Sequence, residues 1–146
     1  MEKQASVATP LVQVKDLCKY FQISRRDVLK AVDHVSFDIM RGETVGLVGE
    51  SGCGKSTTGR CITYLHPPTS GEILYEGKTV DISSRPKRLA FCKKVQMIFQ
   101  NPYASLNGRM TVKEIVGEGM RLHFSYTEQE LTERVEELLA RVGLSR

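Results

Sequence analysis

No stretch of this 146-residue chain approaches the ~18 consecutive apolar residues that a membrane-spanning helix needs. Its start, Met1-Glu-Lys-Gln-Ala-Ser6, lacks the apolar core of a secretory signal, which points to a cytosolic chain. The four cysteines, Cys18, Cys53, Cys61 and Cys92, form no C-x-x-C pair and no Cys/His cluster with zinc spacing. They read as reduced thiols. There is no internal repeat and no low-complexity tract. With 40% hydrophobic and 26% charged residues, the chain is not of the disordered class. Its net charge of +4 is mild and is densest from Arg85 to Lys94, with Arg85, Lys87, Arg88, Lys93 and Lys94. That segment reads as a solvated face. A nucleic-acid footprint needs a stronger, aromatic-interleaved stripe.

The length suits one domain of ordinary size. After a loose tail ending at Pro10, Val12, Val14 and Leu17 predict a strand. The polar Ser24-Arg-Arg-Asp27 interrupts it. Val35, Phe37 and Ile39 alternate with polar residues, the period of a half-buried strand. Arg41-Gly-Glu43 predicts a turn, and the apolar run Thr44-Val-Gly-Leu-Val48 a buried strand. Lys55 to Leu65 predicts a helix stopped by Pro67-Pro68. Gly71 to Gly77 and Val95 to Phe99 read as further strands, with a turn at Gly77-Lys78. Beyond Pro102 the pattern becomes helical, over Thr111–His123 and Thr127–Val142. The second of these opens with the capping box Thr127-x-x-Glu130 and stops at Gly143, with Leu131, Val135, Leu138, Leu139 and Val142 on one face.

The segment Gly49, Glu50, Ser51, Gly52, Cys53, Gly54, Lys55, Ser56 fits the phosphate-loop pattern G-x-x-x-x-G-K-[ST]. Average usage gives that match by chance roughly once in two hundred chains of this length. A buried strand before it and a helix after it are the context the pattern requires. Gly49 and Gly54 let the backbone curl where a Cβ would clash. Loop amides, and the first turn of the following helix, then point N–H groups and a positive dipole end at a phosphate. Lys55 is the residue to reach the β- and γ-phosphates, Ser56 to ligate Mg²⁺, and Thr57 to donate to the α-phosphate. Cys53 sits at the helix N-terminus, a position that can make a thiol reactive. The simpler reading is an inert side chain directed away from the phosphates.

With these residues in hand, the chain resembles the N-terminal part of the ATPase subunit of an ATP-binding-cassette (ABC) transporter, of the oligopeptide/dipeptide importer group. The resemblance runs from about Val12 onward. It is carried by Ala31-Val-Asp-His-Val-Ser-Phe-Asp38, Arg41 to Thr57, Pro68-Thr-Ser-Gly71 and Val95-Gln-Met-Ile-Phe-Gln-Asn-Pro-Tyr-Ala-Ser-Leu-Asn107, the last being the subgroup-specific segment. It implies ATP and Mg²⁺ as ligands and the fold class α/β, a P-loop NTPase with an N-terminal antiparallel β-subdomain and the start of a helical subdomain. It implies a tail over 1–10, a nucleotide-binding core over 11–100 and an incomplete helical subdomain over 101–146. It makes Gln100 the Q-loop glutamine, at a strand end where it touches Mg²⁺ or the attacking water. It makes Phe21, or less well Tyr20, the ring that stacks on adenine, although either ring could simply pack within the β-subdomain.

The implied partners are a second ABC ATPase subunit, transmembrane permease subunits and, indirectly, a solute-binding protein, with no nucleic acid. The implied place is the cytoplasmic face of the membrane. A full ABC ATPase also needs a signature sequence, a Walker B aspartate followed by a glutamate, and a switch histidine. This sequence has no Gly-Gly pair and no Asp-Glu dipeptide, and its last aspartate is Asp81. The expectation is therefore a truncated ATPase domain that hydrolyses nothing useful alone and exposes apolar faces meant for the missing half. Two other readings stay open, a non-catalytic nucleotide-binding fragment and a P-loop ATPase of another ABC group.

Overall fold

In a computed structural model of the chain, residues 9–101 and 103–144 are described. Residues 1–8 of the expected tail, Pro102 of the subgroup-specific segment and residues 145–146 lie outside the described residues. The chain forms two compact units, Met1–Met97 and Ile98–Arg146.

The first unit is built on a four-stranded antiparallel sheet of order β2-β1-β3-β4, with β1 at Val12–Gln22, β2 at Val28–Ile39, β3 at Ser70–Tyr75 and β4 at Lys78–Thr79. The polar Ser24–Asp27 stretch is the β1–β2 turn. It is tied by the Ser24 hydroxyl, which donates to the Asp27 carboxylate at 2.6 Å and accepts the Asp27 N–H at 3.2 Å. The β3–β4 turn falls one residue earlier than the sequence suggests, on Glu76 and Gly77, both at positive φ, as a two-residue hairpin of primed type requires. Helix α1, Lys55–Ile62, lays Cys61 on this sheet, completing a core with Val12, Val14, Leu17, Val32 and Ile73. The helix is shorter than predicted. It ends before the prolines, where Tyr64 turns to φ 54.

A second helix, α2 at Arg85–Lys94, occupies the basic segment read as a solvated face. Its charged residues are exposed, but Phe91 is buried and meets Tyr64 and Tyr75 edge-on at 5.7 and 6.4 Å between ring centroids. One apolar anchor thus docks a helix whose charge pattern hides it.

Two expected strands are corrected. Neither Thr44–Val48 nor Val95–Phe99 is assigned as a strand. A parallel strand exists only through neighbours that complete its ladder. Among the described residues neither segment has one. Val45, Leu47 and Val48 are accordingly 41%, 47% and 97% exposed, and Ile98 is 96% exposed. The expected exposure of apolar surface is therefore present here.

The second unit is a helical hairpin, α3 at Val112–His123 and α4 at Glu128–Arg141, preceded by a single turn at Tyr103–Ser105. Both helices open with complete capping boxes, Thr111 with Glu114 and Thr127 with Glu130. The backbone and hydroxyl donors of each threonine hold the glutamate carboxyl below its ordinary range. α4 closes with the N–H of Leu144 on the Leu139 carbonyl and the N–H of Gly143 on the Ala140 carbonyl, the Schellman pair. Leu131 and Val135 are buried, and Leu131 packs where Gly117 leaves room for it. Thr127→Ala is expected to cost about 1 kcal/mol, read as a lower urea midpoint for loss of helical signal with an unchanged slope. An unchanged midpoint would mean that the cap contributes nothing.

Candidate nucleotide-binding site

The Gly49–Ser56 segment is a loop that runs directly into α1. The sequence assigned its curl to Gly49 and Gly54, whereas the positive φ values fall on Gly52 (+84°) and Gly54 (+82°). Gly49 leaves room for a neighbouring side chain instead. A Cβ there would lie 2.7 Å from the Cys53 Sγ. At Gly54 a Cβ would lie 1.9 Å from the Ala31 carbonyl oxygen, so the loop rests directly on the β2 backbone. That contact was not readable from the sequence, since Ala31 carries no side-chain chemistry that would mark it.

Gly54 is also the N-cap of α1, and no side chain caps the helix. The first-turn N–H groups, of Lys55, Ser56 and Thr57, therefore have no intrahelical carbonyl and offer themselves to an anion. Lys55 folds back across the loop, its Nζ donating to the Gly49 and Glu50 carbonyls at 2.9 Å each and lying 3.9 Å from the Cys53 Sγ. The Cys53 N–H reaches the Glu50 carbonyl at 3.4 Å. Glu50, Ser51 and the Ser56 hydroxyl-bearing side chain are exposed, Thr57 is half-buried, and the buried Thr58 closes the first turn by donating to the Gly54 carbonyl at 2.9 Å. Thr58 is a structural member of the site that the motif does not name.

A small ligand with several anionic oxygens fits this donor set. The loop supplies a glycine-lined backbone concavity, one ammonium group, a helix dipole and a hydroxyl at the second helical position. Cys53 is exposed on the same loop. Its alkylation is expected to slow at least several-fold when ATP is present, because a nucleotide on the loop would cover a thiol this near Lys55. Equal rates with and without ATP would remove Cys53 from the site.

The aromatic candidates lie on β1, the strand paired directly with β2, on which Gly54 rests. Lys19 pairs with Val32, Tyr20 with Lys30 and Phe21 with Leu29. Phe21 is half-buried, edge-on to His66 at 5.7 Å, with the Lys19 ammonium 5.1 Å from its centroid. Lys19 is itself anchored on the Pro67 carbonyl at 2.7 Å. Tyr20 is also half-buried, but its hydroxyl donates to the Asp33 carboxylate, which raises the phenol pKa. Gln100 is exposed in a bend of the second unit rather than at the end of a strand, for the ladder reason given above. The structure thus brings Gly49, Glu50, Ser51, Gly52, Cys53, Gly54, Lys55, Ser56 and Thr57 together in one loop and helix start, with Tyr20 and Phe21 on the supporting sheet. Gln100 belongs to a separate unit.

Residues 32–146 match the family model described as ABC transporter. The chain belongs to the ABC transporter family. It is 54% identical over 138 residues to the oligopeptide transport ATP-binding protein OppF of Bacillus subtilis (strain 168), a match that covers 93% of this chain and 45% of OppF. AppF of the same organism, also an oligopeptide transport ATP-binding protein, is 48% identical over 141 residues, covering 92% of this chain and 43% of AppF. The ABC chain therefore spans less than half the length of these curated relatives. Among solved structures, the ATP-binding cassette MJ0796, in a dimeric post-hydrolysis state with ADP and Pi, matches with a TM-score of 0.76 at 25% identity. That match covers 90% of this chain and 57% of MJ0796. The fold is the α/β P-loop fold of ABC ATPases, with its antiparallel β-subdomain and the helical hairpin. No helix among the described residues is long and apolar enough to cross a membrane.

Proposed function

We propose that this chain is the ATP-binding part of an ATPase subunit that energises import of peptides or similar small solutes. The observation that carries the reading is the Gly49–Ser56 loop, with Lys55 held over it by two carbonyls at the uncapped start of α1. The likeness to OppF supports the peptide class. Loop amides and the first turn of α1 hold the phosphates, and Lys55 exchanges its carbonyl partners for β- and γ-phosphate oxygens. Phe21 or Tyr20 carries the adenine. Ser56 is the residue of the loop that would hold Mg²⁺, which when bound neutralises phosphate charge; for the complete protein Gln100 is proposed as a further Mg²⁺ ligand. Gln100 also orients the attacking water.

The proposed domain plan is a nucleotide-binding core over 11–100 and the start of a helical subdomain over 101–146, whereas the compact units divide earlier, at Met97 and Ile98. The partners are a second ABC ATPase subunit and transmembrane permease subunits at the cytoplasmic face of the membrane. Hydrolysis requires acidic residues for the metal and the water, and Asp81, the last aspartate of the sequence, is bound instead to Lys87 and Ser83. Turnover is therefore proposed for the complete protein in its assembly.

In that assembly, Gln100→Ala is expected to leave ATP affinity within about threefold and to lower turnover roughly ten- to a hundredfold, the usual cost of losing a group that orients a metal's ligands. Steady-state hydrolysis and nucleotide titration on the same preparation make the test. Unchanged turnover would remove Gln100 from the mechanism.

A further inference from the structure

β1 and β2 do not pair one-to-one through their middle. Between the pairs Leu17–Val35 and Lys19–Val32, Cys18 alone opposes two residues, Asp33 and His34. This is a β-bulge, with His34 at φ 52 and Asp16 on the facing strand at φ 50. In a regular strand, consecutive residues project to opposite faces. Here the bulge gathers both beside Cys18. The Cys18 sulfur, an Asp33 carboxylate oxygen and a His34 ring nitrogen lie within 4.8 Å of one another. Cys18 is fully buried, whereas the Asp33 and His34 side chains are 43% and 64% exposed. The cluster is a shallow cup with a thiol at its floor.

Each member is oriented from outside the cup. The His34 Nδ1 is bonded to the Asp16 carboxylate at 2.7 Å, and its Nε2 lies 3.8 Å from the Asp33 Oδ1. A histidine whose one nitrogen is held by a carboxylate while the other faces further donors is the arrangement that fixes metal-binding imidazoles. Asp33 is held as well, its Oδ1 accepting from the Tyr20 hydroxyl and its Oδ2 lying 3.3 Å from the Lys30 ammonium. The His34 backbone N–H donates to the Cys18 sulfur at 3.3 Å. Cys18, Asp33 and His34 have no assigned task in nucleotide binding.

We propose that Cys18, Asp33 and His34 form a binding site for a divalent metal of the zinc class, with Asp16 as the positioning residue for His34 and a fourth position left to water. One sulfur, one imidazole and one carboxylate are a borderline donor set. It suits Zn²⁺ or Co²⁺ and not Ca²⁺ or Mg²⁺, which take oxygen ligands. Bond lengths of about 2.0–2.3 Å require the three donors to close by roughly an ångström. Coordination displaces the Cys18 thiol proton to solvent. The thiolate and Asp33 carboxylate then balance the +2 ion, and Lys30 stays on the outer carboxylate oxygen. The ion would bolt β1 to β2 at the bulge between Leu17 and Lys19, beside Tyr20.

The test is titration of the full chain with Co²⁺, in a Cys53→Ser, Cys92→Ser background so that the less buried thiols add nothing. The expected result is a thiolate-to-cobalt charge-transfer band that saturates at one equivalent and is bleached by Zn²⁺. His34→Gln and Cys18→Ser should abolish it, and Asp16→Asn should weaken affinity roughly ten- to a hundredfold. His34 is exposed, so its variant should keep the fold, as circular dichroism will show; should Cys18→Ser unfold, His34→Gln decides alone. Absence of the band in the parent, or a band undiminished by His34→Gln, overturns the proposal.

Discussion

Gly54→Ala is expected to weaken ATP binding on the order of a hundredfold or more and to lower the urea midpoint of the first unit. Two costs combine. An alanine held at φ +82 sits in the left-handed region, a penalty of roughly 1–2 kcal/mol. Its Cβ would also stand 1.9 Å from the Ala31 carbonyl oxygen, a backbone atom of β2. Relieving that overlap means lifting the loop off the sheet or disturbing β2 beside the Val32–Lys19 pair. Either movement takes the N–H groups of the α1 start away from a common focus, and about 3 kcal/mol of lost interaction is about a hundredfold in affinity. Gly59→Ala is the control. It lies inside α1 with nothing within 4 Å of a built Cβ, and should stabilise the helix by up to about 1 kcal/mol. Titration with a fluorescent ATP analogue and urea unfolding separate the two. Equal nucleotide affinity in both variants would show that the loop does not depend on its seat against β2.

Lys55→Ala should act on the ligand and spare the fold. Alanine is the best helix former and Lys55 is the first residue of α1, so α1 should be unaffected. What goes is the ammonium that Lys55 holds over the loop. The Gly49 and Glu50 carbonyls it leaves are exposed and turn to water. Truncating a charge that pairs with a bound anion costs about 2–5 kcal/mol. The expected outcome is ATP affinity lower by at least tenfold. Turnover of the complete protein should fall by 10²–10³, as when a preorganised donor to a transition state is lost. Thermal unfolding without nucleotide should match the parent, which distinguishes this variant from Gly54→Ala. Unchanged turnover would falsify the phosphate-loop assignment.

The elements legible in the sequence are those whose cause is local. The capping box of Thr127 needs only residues three apart; that of Thr111 with Glu114 is as local, and the sequence reading missed it. The phosphate loop is a fixed string, and the alternation through Val35, Phe37 and Ile39 states its own period. Elements whose cause is distant were misread. The apolar run Thr44–Val48 has the composition of a buried strand, yet composition cannot supply the neighbour that makes it one. α2 is held by Phe91 between two tyrosines that come from elsewhere in the chain, so its basic surface dominated the reading. Ala31 matters to the loop only through its carbonyl, and Cys18 meets His34 only because a bulge sets two residues against one. Sequence spacing records none of these meetings.

The Thr44–Val48 run leads straight into the loop, and it is exposed and unladdered along its whole length. One end of the phosphate loop is therefore anchored on β2 through Gly54, while the other continues into a segment with no ladder partner among the described residues. Nucleotide affinity then becomes a product of two numbers, the intrinsic affinity of the formed loop and the fraction of molecules in which it is formed. Any neighbour that completes a ladder along Thr44–Val48 raises the second number without touching ATP, and by reciprocity bound ATP favours that neighbour. Sheet completion and nucleotide capture are thus thermodynamically coupled through the five residues that lead into the phosphate loop.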